Sequence, residues 1–292
     1  MIAQAEVHWN LNDNCTMGCE YCPTRYSGNS VHRGVEDYVK VVRKLQDSRY
    51  KHSESIKWKL GGGEPLQFAG LGIMLTEIKK MPSYVRIDTS GGESWFDLLA
   101  IQDRVDHIKF THHAWQNVSV LNFAIDFCKD YDKRLTVIVP LQPGKIRECR
   151  AHVEELKAQG VEALEKVLTD DARTGGKLWF GYSTRDKNII RGLPEDYMEP
   201  PPVPVDYNAV DHNWIDHSVV TAPQHVYTGK KCYAGVDYIF IGQRGFASAS
   251  DCGGRDMGNV FAADWQAPDA PFACNMNQCR SEADRRRLRV NQ

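Results

Sequence analysis

The sequence lacks the features that mark membrane-bound and exported proteins. None of its apolar runs is long enough to span a bilayer, and Met1–Glu6 lacks the charged-then-apolar layout of a signal peptide. No repeat with a solenoid period is evident. The net charge of −2 provides no global basic field that would hold a polyanion. These absences predict a cytoplasmic protein without a membrane partner. The net charge does not support a nucleic-acid partner.

The sequence does have enough length for a sizeable core, and it has an unusual set of cysteines. Its 292 residues are 42% apolar and 25% charged, which is typical of one large globular domain or one domain plus a small one. The nine cysteines are odd in number, and several are spaced like metal ligands. A disulfide framework is therefore not expected, and a reducing compartment fits better.

The first cysteine group is Cys15, Cys19 and Cys22, at the spacing Cys-x3-Cys-x2-Cys. It follows Val7–Leu11, an apolar-patterned stretch that predicts a strand. Three thiolates can hold three irons of a [4Fe–4S] cluster and leave the fourth iron open to a small molecule. An open metal position indicates chemistry more often than structure. A zinc knuckle is the alternative interpretation of the same cysteines.

A glycine-rich turn follows the next predicted strand. Lys57–Leu60 has the pattern of a strand and runs directly into Gly61–Glu64. Glycines let a backbone approach a ligand closely, and a carboxylate beside them can pair with an ammonium group. Such a turn alone is weak evidence, but its position after a strand and after the cysteine motif strengthens it.

Together the two motifs resemble those of the radical S-adenosylmethionine (radical SAM) superfamily, including the aromatic residue Tyr21 just before the third cysteine. The resemblance implies a [4Fe–4S] cluster on Cys15, Cys19 and Cys22, with S-adenosylmethionine (SAM) on the open iron. It implies reductive cleavage of SAM to a 5′-deoxyadenosyl radical, which takes a hydrogen atom from the substrate. It also implies an external electron donor of the flavodoxin or ferredoxin type.

The resemblance assigns further residues to SAM. Glu64 would bind the ammonium group, Gly62 and Gly63 would offer backbone groups, and Tyr21 would lie near the adenine. Polar residues after the third, fourth and fifth predicted strands would also line the site: Thr89, Ser90, His112, His113 and Gln142. Helix capping is the alternative for the Thr-Ser pair, and a satisfied structural histidine is the alternative for each imidazole.

The pattern up to about residue 195 predicts a repeated β/α architecture. Six short apolar strands alternate with helical stretches, which argues for a parallel sheet with helices outside it. Both motifs follow strands, so both fall at the carboxyl edge where such folds carry active sites. The pattern is similar to the partial (β/α)6 barrel of the radical SAM superfamily, and we expect that α/β fold for residues 1–195.

The composition changes after residue 195. Pro200–Pro204 predicts a linker across residues 196–216, and residues 217–292 have a β-like pattern. Tyr238–Ile241 and Phe246–Ala249 flank a glycine-containing turn and predict a hairpin. The four cysteines of this part are Cys232, Cys252, Cys274 and Cys279.

This second cysteine set resembles a twitch domain, the shortened form of the auxiliary-cluster domain called SPASM. Gly258–Val260 matches the element that is usual after the second cysteine. The resemblance implies an auxiliary [4Fe–4S] cluster. Because four thiolates would saturate it, we expect it to transfer electrons or brace the domain rather than bind substrate. A zinc ribbon-like site or free buried thiols are the alternatives.

The motifs predict an oxidoreductase or isomerase that acts on an amino-acid-like group by oxidation, epimerisation or isomerisation. The group could belong to a small molecule, to a ribosomal peptide, or to a hypermodified nucleobase as in phage-type isomerases. We expect no leader-binding domain before Cys15, so a peptide would need a separate recruiting protein. A non-catalytic module with zinc in both cysteine sets is the competing class, although a Gly-Gly-Glu turn has no purpose there.

Overall fold

The computed structural model describes most of the predicted β/α region and part of the remainder. The described residues are 5–22, 33–91, 95–169, 178–198, 231–232, 235–249 and 255–273. Within these ranges, no helix is long and apolar enough to cross a membrane. Most of the predicted linker lies outside the described residues, as do Cys252, Cys274 and Cys279.

A sheet of six parallel strands in sequence order organises the first 170 residues. The strands are β1 (Ala5–Asn12), β2 (Ile56–Gly62), β3 (Ser83–Thr89), β4 (His107–Thr111), β5 (Arg134–Pro140) and β6 (Ala163–Lys166). The helices are α1 (Val35–Asp47), α2 (Leu71–Ile78), α3 (Trp95–Ala100), α4 (Val118–Asp130), α5 (Ile146–Ala158) and α6 (Thr184–Arg191). One helix of α1–α5 follows each of the strands β1–β5, so the predicted α/β fold is confirmed.

The predicted hairpin is also confirmed, and it extends the same sheet beyond β1. Its strands are β8 (Tyr238–Ile241) and β9 (Phe246–Ser248), preceded by β7 (Lys231–Cys232) and followed by β10 (Asp256–Asn259) and β11 (Phe272–Ala273). β8 pairs in parallel with Glu6–Trp9 of β1. The nine-stranded sheet has the order β10-β9-β8-β1-β2-β3-β4-β5-β6, so it has two edges and is not closed. The domain boundaries stay a prediction.

The two faces of the parallel strands differ in chemistry. One face consists of buried apolar side chains, among them Val7, Trp9, Ile56, Trp58, Leu60, Val85, Ile87, Ile108 and Phe110. The other face carries Glu6, Lys57, Lys59, Arg86, Asp88 and Lys109, whose side chains are 14–35% exposed and form ion pairs with one another. Parallel sheets are normally apolar on both faces. A face of paired charges therefore indicates the inner, solvated side of a partial barrel.

Helix α1 fixes the point at which the chain leaves β1. Its apolar residues recur at helical spacing and are buried against the sheet, each contributing about 1.5–3 kcal/mol. The ring of Tyr38 stacks on Trp9, with centroids 5.3 Å apart. The Tyr38 hydroxyl donates to the Leu11 carbonyl at 2.8 Å. The end of β1, from which the cysteine loop departs, is thus held by both packing and a buried hydrogen bond.

Candidate cofactor site at the carboxyl edge of the sheet

The cysteines of the first motif lie on the loop that leaves β1. Cys15, Cys19 and Cys22 are half-buried, and none of them forms a disulfide. The Cys22 N–H donates to the Cys19 carbonyl at 3.0 Å, which makes a tight turn between the second and third cysteines. The loop therefore places the three cysteines at the carboxyl edge of the sheet, and their role as cluster ligands stays a prediction.

The glycine-rich turn after β2 packs on the stem of this loop. The Gly63 N–H donates to the Asn12 carbonyl at 2.9 Å, and the Glu64 N–H donates to the Asn14 carbonyl at 2.6 Å. Gly62 has a φ of 125°, and a Cβ there would lie 2.6 Å from the Asn12 oxygen. The close approach of two backbones therefore requires these glycines whether or not a ligand is present. Their role as backbone partners of SAM stays a prediction.

The Glu64 carboxylate is completely buried and accepts four hydrogen bonds. Oε1 accepts from the Thr89 hydroxyl at 2.5 Å and the Leu66 N–H at 3.2 Å. Oε2 accepts from the Ser90 N–H at 3.0 Å and the Ser90 hydroxyl at 3.1 Å. Burial raises the pKa of Glu64, and the four hydrogen bonds oppose that shift. The structure thus brings Thr89 and Ser90 onto Glu64, where they fix its orientation and favour its ionised form.

Tyr21 lies within a cluster of aromatic and imidazole side chains beside the cysteine loop. Its hydroxyl is 2.5 Å from Nδ1 of His113 and accepts from Nε2 of Gln142 at 3.4 Å. Its ring centroid is 5.9–6.0 Å from those of His113, Trp115 and Trp179. Burial raises the pKa of Tyr21, so the phenol keeps its proton. Sequence reasoning missed both tryptophans, although Trp115 comes only two residues after His113.

The two histidines after β4 have different surroundings. Nε2 of His113 lies 3.8 Å from Sγ of Cys19, whereas the His112 ring contacts His152 of α5 and Phe110. Successive residues of an extended chain point to opposite faces, which explains the divergence. Burial lowers the pKa of both imidazoles to about 4. His113 is therefore the imidazole that lies at the cysteine loop. In the described part of the chain, no contact supports a cofactor role for His112, and that role stays a prediction.

Comparison with solved structures agrees with this architecture. The structure of native anSMEcpe with bound AdoMet, which is SAM, gives a TM-score of 0.53 at 13% identity, covering 88% of this chain and 78% of that chain. Two complexes of anSMEcpe with AdoMet and the Cp18Cys or Kp18Cys peptide give TM-scores of 0.53 and 0.54 at 12% identity. Both cover 88% of this chain, and they cover 77% and 78% of the respective neighbour's chain. This chain therefore shares the α/β fold of these AdoMet-bound structures, with a parallel-strand sheet and helices. No family model and no curated protein sequence matches it significantly.

The electrostatics of the cysteine loop fit an iron–sulfur group. Burial raises the pKa of the Cys19 thiol to about 12, and charge on Cys15 and Cys22 adds to the shift. Burial also raises the pKa of Cys15. Thiols grouped this closely ionise together readily only when a cation stabilises the thiolates, as iron does. The three residues therefore have the chemistry that a cluster requires.

The two interpretations of the first cysteine set require different distances between the sulfurs. Within the described ranges, no three Cys, His, Asp or Glu side chains converge closely enough to hold one metal ion. Thiolates on one zinc stand roughly 4 Å apart, since each Zn–S bond is about 2.3 Å. The ligands of a [4Fe–4S] cluster bind different irons, so their sulfurs stand further apart. The choice between a cluster and a zinc ion for the first cysteine set therefore stays a prediction.

Of the second cysteine set, the structure describes one member. Cys232 lies in β7 and pairs with Phe272 of β11, directly before the chain enters the hairpin. The other three cysteines fall outside the described residues, so the auxiliary cluster stays a prediction.

A cleft of about 1700 Å³ lies away from the cysteine loop, between α1 and residues 255–271. Lys44 reaches across one end of it and donates to the carbonyls of Ala262 and Ala263 at 2.7 and 3.2 Å. None of the cysteines or glycines of the two motifs lines this cleft. It is therefore separate from the candidate cofactor site.

The tight contact between the two loops predicts that neighbouring glycines differ in how well they tolerate substitution by alanine. We expect Gly63→Ala to reduce iron loading and to cost about 1–3 kcal/mol of stability, because its Cβ would overlap the Asn14 carbonyl, whose carbon is 2.7 Å away. Gly61→Ala is the matched control, since its Cβ would lie 3.6 Å from the Asp88 Cβ, an ordinary contact. Iron per chain after anaerobic reconstitution checks this. Equal loading of the two variants would contradict it.

Proposed function

We propose that this protein is a radical SAM enzyme that abstracts hydrogen from an amino-acid-like group of its substrate. The observation that carries the proposal is the contact between the two motifs. Backbone hydrogen bonds of 2.9 and 2.6 Å join the cysteine loop to the Gly-Gly-Glu turn, at the edge of the sheet where such folds carry their active sites. A group bound by the cysteines would therefore lie beside a buried carboxylate suited to an ammonium.

The cofactors would supply the difficult chemistry, and the chain would hold and orient them. When bound, a [4Fe–4S] cluster and SAM would supply the reductive cleavage of SAM to methionine and a 5′-deoxyadenosyl radical. The electron would come from an external donor. Cys15, Cys19 and Cys22 would hold the cluster. Tyr21 would offer the adenine an aromatic face, and its hydroxyl is already fixed by His113.

Glu64 would bind the ammonium group of SAM. All four lone-pair sites of its carboxylate have donors in this structure, and two of those donors are hydroxyls, from Thr89 and Ser90. A hydroxyl can rotate to another acceptor, whereas the backbone N–H groups of Leu66 and Ser90 are fixed. We infer that the ammonium replaces a hydroxyl and that the N–H groups keep the carboxylate in place.

We infer that a peptide carries the substrate group. The anSMEcpe structures that share this fold include complexes with bound AdoMet and the Cp18Cys or Kp18Cys peptide. Oxidation, epimerisation and isomerisation of an amino-acid residue all begin with the removal of a hydrogen atom, so one site serves an oxidoreductase or an isomerase. The paired charges on the inner face of the sheet would suit a polar substrate such as a peptide backbone.

Anaerobic reconstitution tests the proposal directly. The protein is loaded with iron and sulfide, dithionite and SAM are added, and 5′-deoxyadenosine is measured together with iron per chain. We expect iron bound in multiples of about four and formation of 5′-deoxyadenosine. Zinc bound in place of iron, with SAM left intact, would overturn the proposal and favour a structural metal-binding module.

We further propose an auxiliary [4Fe–4S] cluster on the second cysteine set. The order of the sequence supports it: Cys232 precedes the hairpin, and the other three cysteines follow it. Replacement of Cys252 by alanine is expected to lower the iron content from about eight to about four per chain while SAM cleavage persists. Cys128→Ala on α4 is the control. An unchanged iron-to-protein ratio in the Cys252 variant would remove the auxiliary cluster.

A further inference from the structure

We infer that His113 is a positioning residue of the cluster, which donates a hydrogen bond to the Cys19 sulfur and raises the reduction potential, while Tyr21 sets its tautomer. This inference rests on the proposed function. It adds to the site a residue that belongs to neither motif.

The geometry links four side chains in one series of contacts. Nε2 of His113 is 3.8 Å from the Cys19 Sγ, within hydrogen-bond reach of sulfur, and Nδ1 is 2.5 Å from the Tyr21 hydroxyl oxygen. On its other side, that oxygen accepts from Nε2 of Gln142 at 3.4 Å. The chain of contacts therefore runs from Gln142 through Tyr21 and His113 to Cys19.

The chemistry of a bound thiolate decides which groups donate. An iron-bound cysteine carries no proton, so the contact with His113 is a hydrogen bond only if Nε2 carries the hydrogen. A neutral imidazole has one N–H, so Nδ1 must then accept. The Tyr21 hydroxyl can donate to Nδ1, and its oxygen accepts from Gln142. Each hydrogen-bond donor in this series of contacts then has an acceptor.

The His113 ring is held firmly enough to maintain this contact. The side chain is buried, and it stacks on Trp115 with centroids 4.7 Å apart and planes at 23°. Its backbone N–H donates to Oε1 of Gln116 at 3.1 Å. The orientation of the imidazole therefore does not depend on Cys19 alone.

A hydrogen bond to a ligating sulfur acts on the one-electron reduction of the cluster. Reduction adds one electron and makes the cluster and its thiolates more negative, so a donor stabilises the reduced form more than the oxidised form. Hydrogen bonds to the sulfurs are among the factors that set the potentials of such clusters. Loss of the donor should therefore lower the potential.

The test is a redox titration of the reconstituted protein, followed by electron paramagnetic resonance without substrate. We expect His113→Leu to shift the reduction equilibrium about tenfold towards the oxidised form, ~59 mV for one electron. His113→Gln keeps an N–H donor and should restore much of the potential. His107→Leu is the matched control, because that buried ring contacts the Thr136 hydroxyl at 2.9 Å at the start of β4, and its potential should equal that of the parent protein.

Two outcomes would overturn the inference without touching the proposed function. One is a His113→Leu protein that binds its cluster and cleaves SAM at an unchanged potential. The other concerns the tautomer: nitrogen-15 spectra of the protein with its oxidised cluster should show His113 protonated at Nε2, and protonation at Nδ1 would exclude donation from the Tyr21 hydroxyl to Nδ1. Failure of the parent protein to bind iron would instead defeat the proposed function.

Discussion

Replacement of Cys19 by alanine is expected to reduce formation of 5′-deoxyadenosine to background while the chain stays folded. The variant would keep two of the three cluster ligands, and two cannot hold three irons of the cluster. Cys19 is only half-buried on a loop outside the apolar core, so the stability of the metal-free protein should change by less than about 1 kcal/mol. Anaerobic assays with dithionite and SAM, and thermal unfolding of the metal-free protein, measure the two effects.

Cys128→Ala is the matched control for this variant. Cys128 is buried in the core on α4, so its loss should cost some stability, on the order of 1 kcal/mol, and leave SAM cleavage intact. The two variants should therefore show opposite patterns. Continued production of 5′-deoxyadenosine by the Cys19 variant would contradict the assignment of the first motif.

Glu64→Gln is expected to weaken SAM binding by about ten- to a hundredfold, since a hydrogen bond to a charged group is worth about 1.5–3 kcal/mol. The amide keeps the shape of the carboxylate but loses its charge. In either orientation, its NH2 group would face a backbone N–H, of Leu66 or of Ser90. A buried donor without an acceptor should also cost about 1–3 kcal/mol of stability.

The control for this substitution is Glu77→Gln on α2. Glu77 is also a buried carboxylate, but it pairs with Arg43 and Lys80 at 2.9 and 2.8 Å, away from the cysteine loop. Equilibrium dialysis of SAM against the cluster-loaded proteins should show normal affinity for the Glu77 variant. Equal affinities in the two variants would rule out Glu64 as the ammonium partner.

Local patterns predicted the elements of the fold well. The six strands that the sequence predicts in the β/α region are all present, because short apolar runs with flanking polar residues mark them. The meeting of the cysteine loop with the glycine turn also follows from sequence. Adjacent parallel strands bring their carboxyl ends together, and each motif begins where its strand ends.

Contacts between distant parts of the chain could not be predicted in the same way. The pairing of β8 with β1 joins residues at opposite ends of the sequence, and no local period encodes it. The bonds from Thr89 and Ser90 to Glu64 depend on the register of β2 and β3. The different surroundings of His112 and His113 depend on which face of β4 turns towards the cysteine loop, and periodicity leaves that choice open.

The position of β1 between β2 and β8 sets an order of events during synthesis. One edge of β1 can pair as soon as β2 has left the ribosome, but the other must wait until Tyr238–Ile241 has been made. Such non-local pairings form slowly. The strand that carries the cysteine loop therefore pairs along its second edge only late in synthesis. A metal that needs the fully anchored loop would be inserted after that point.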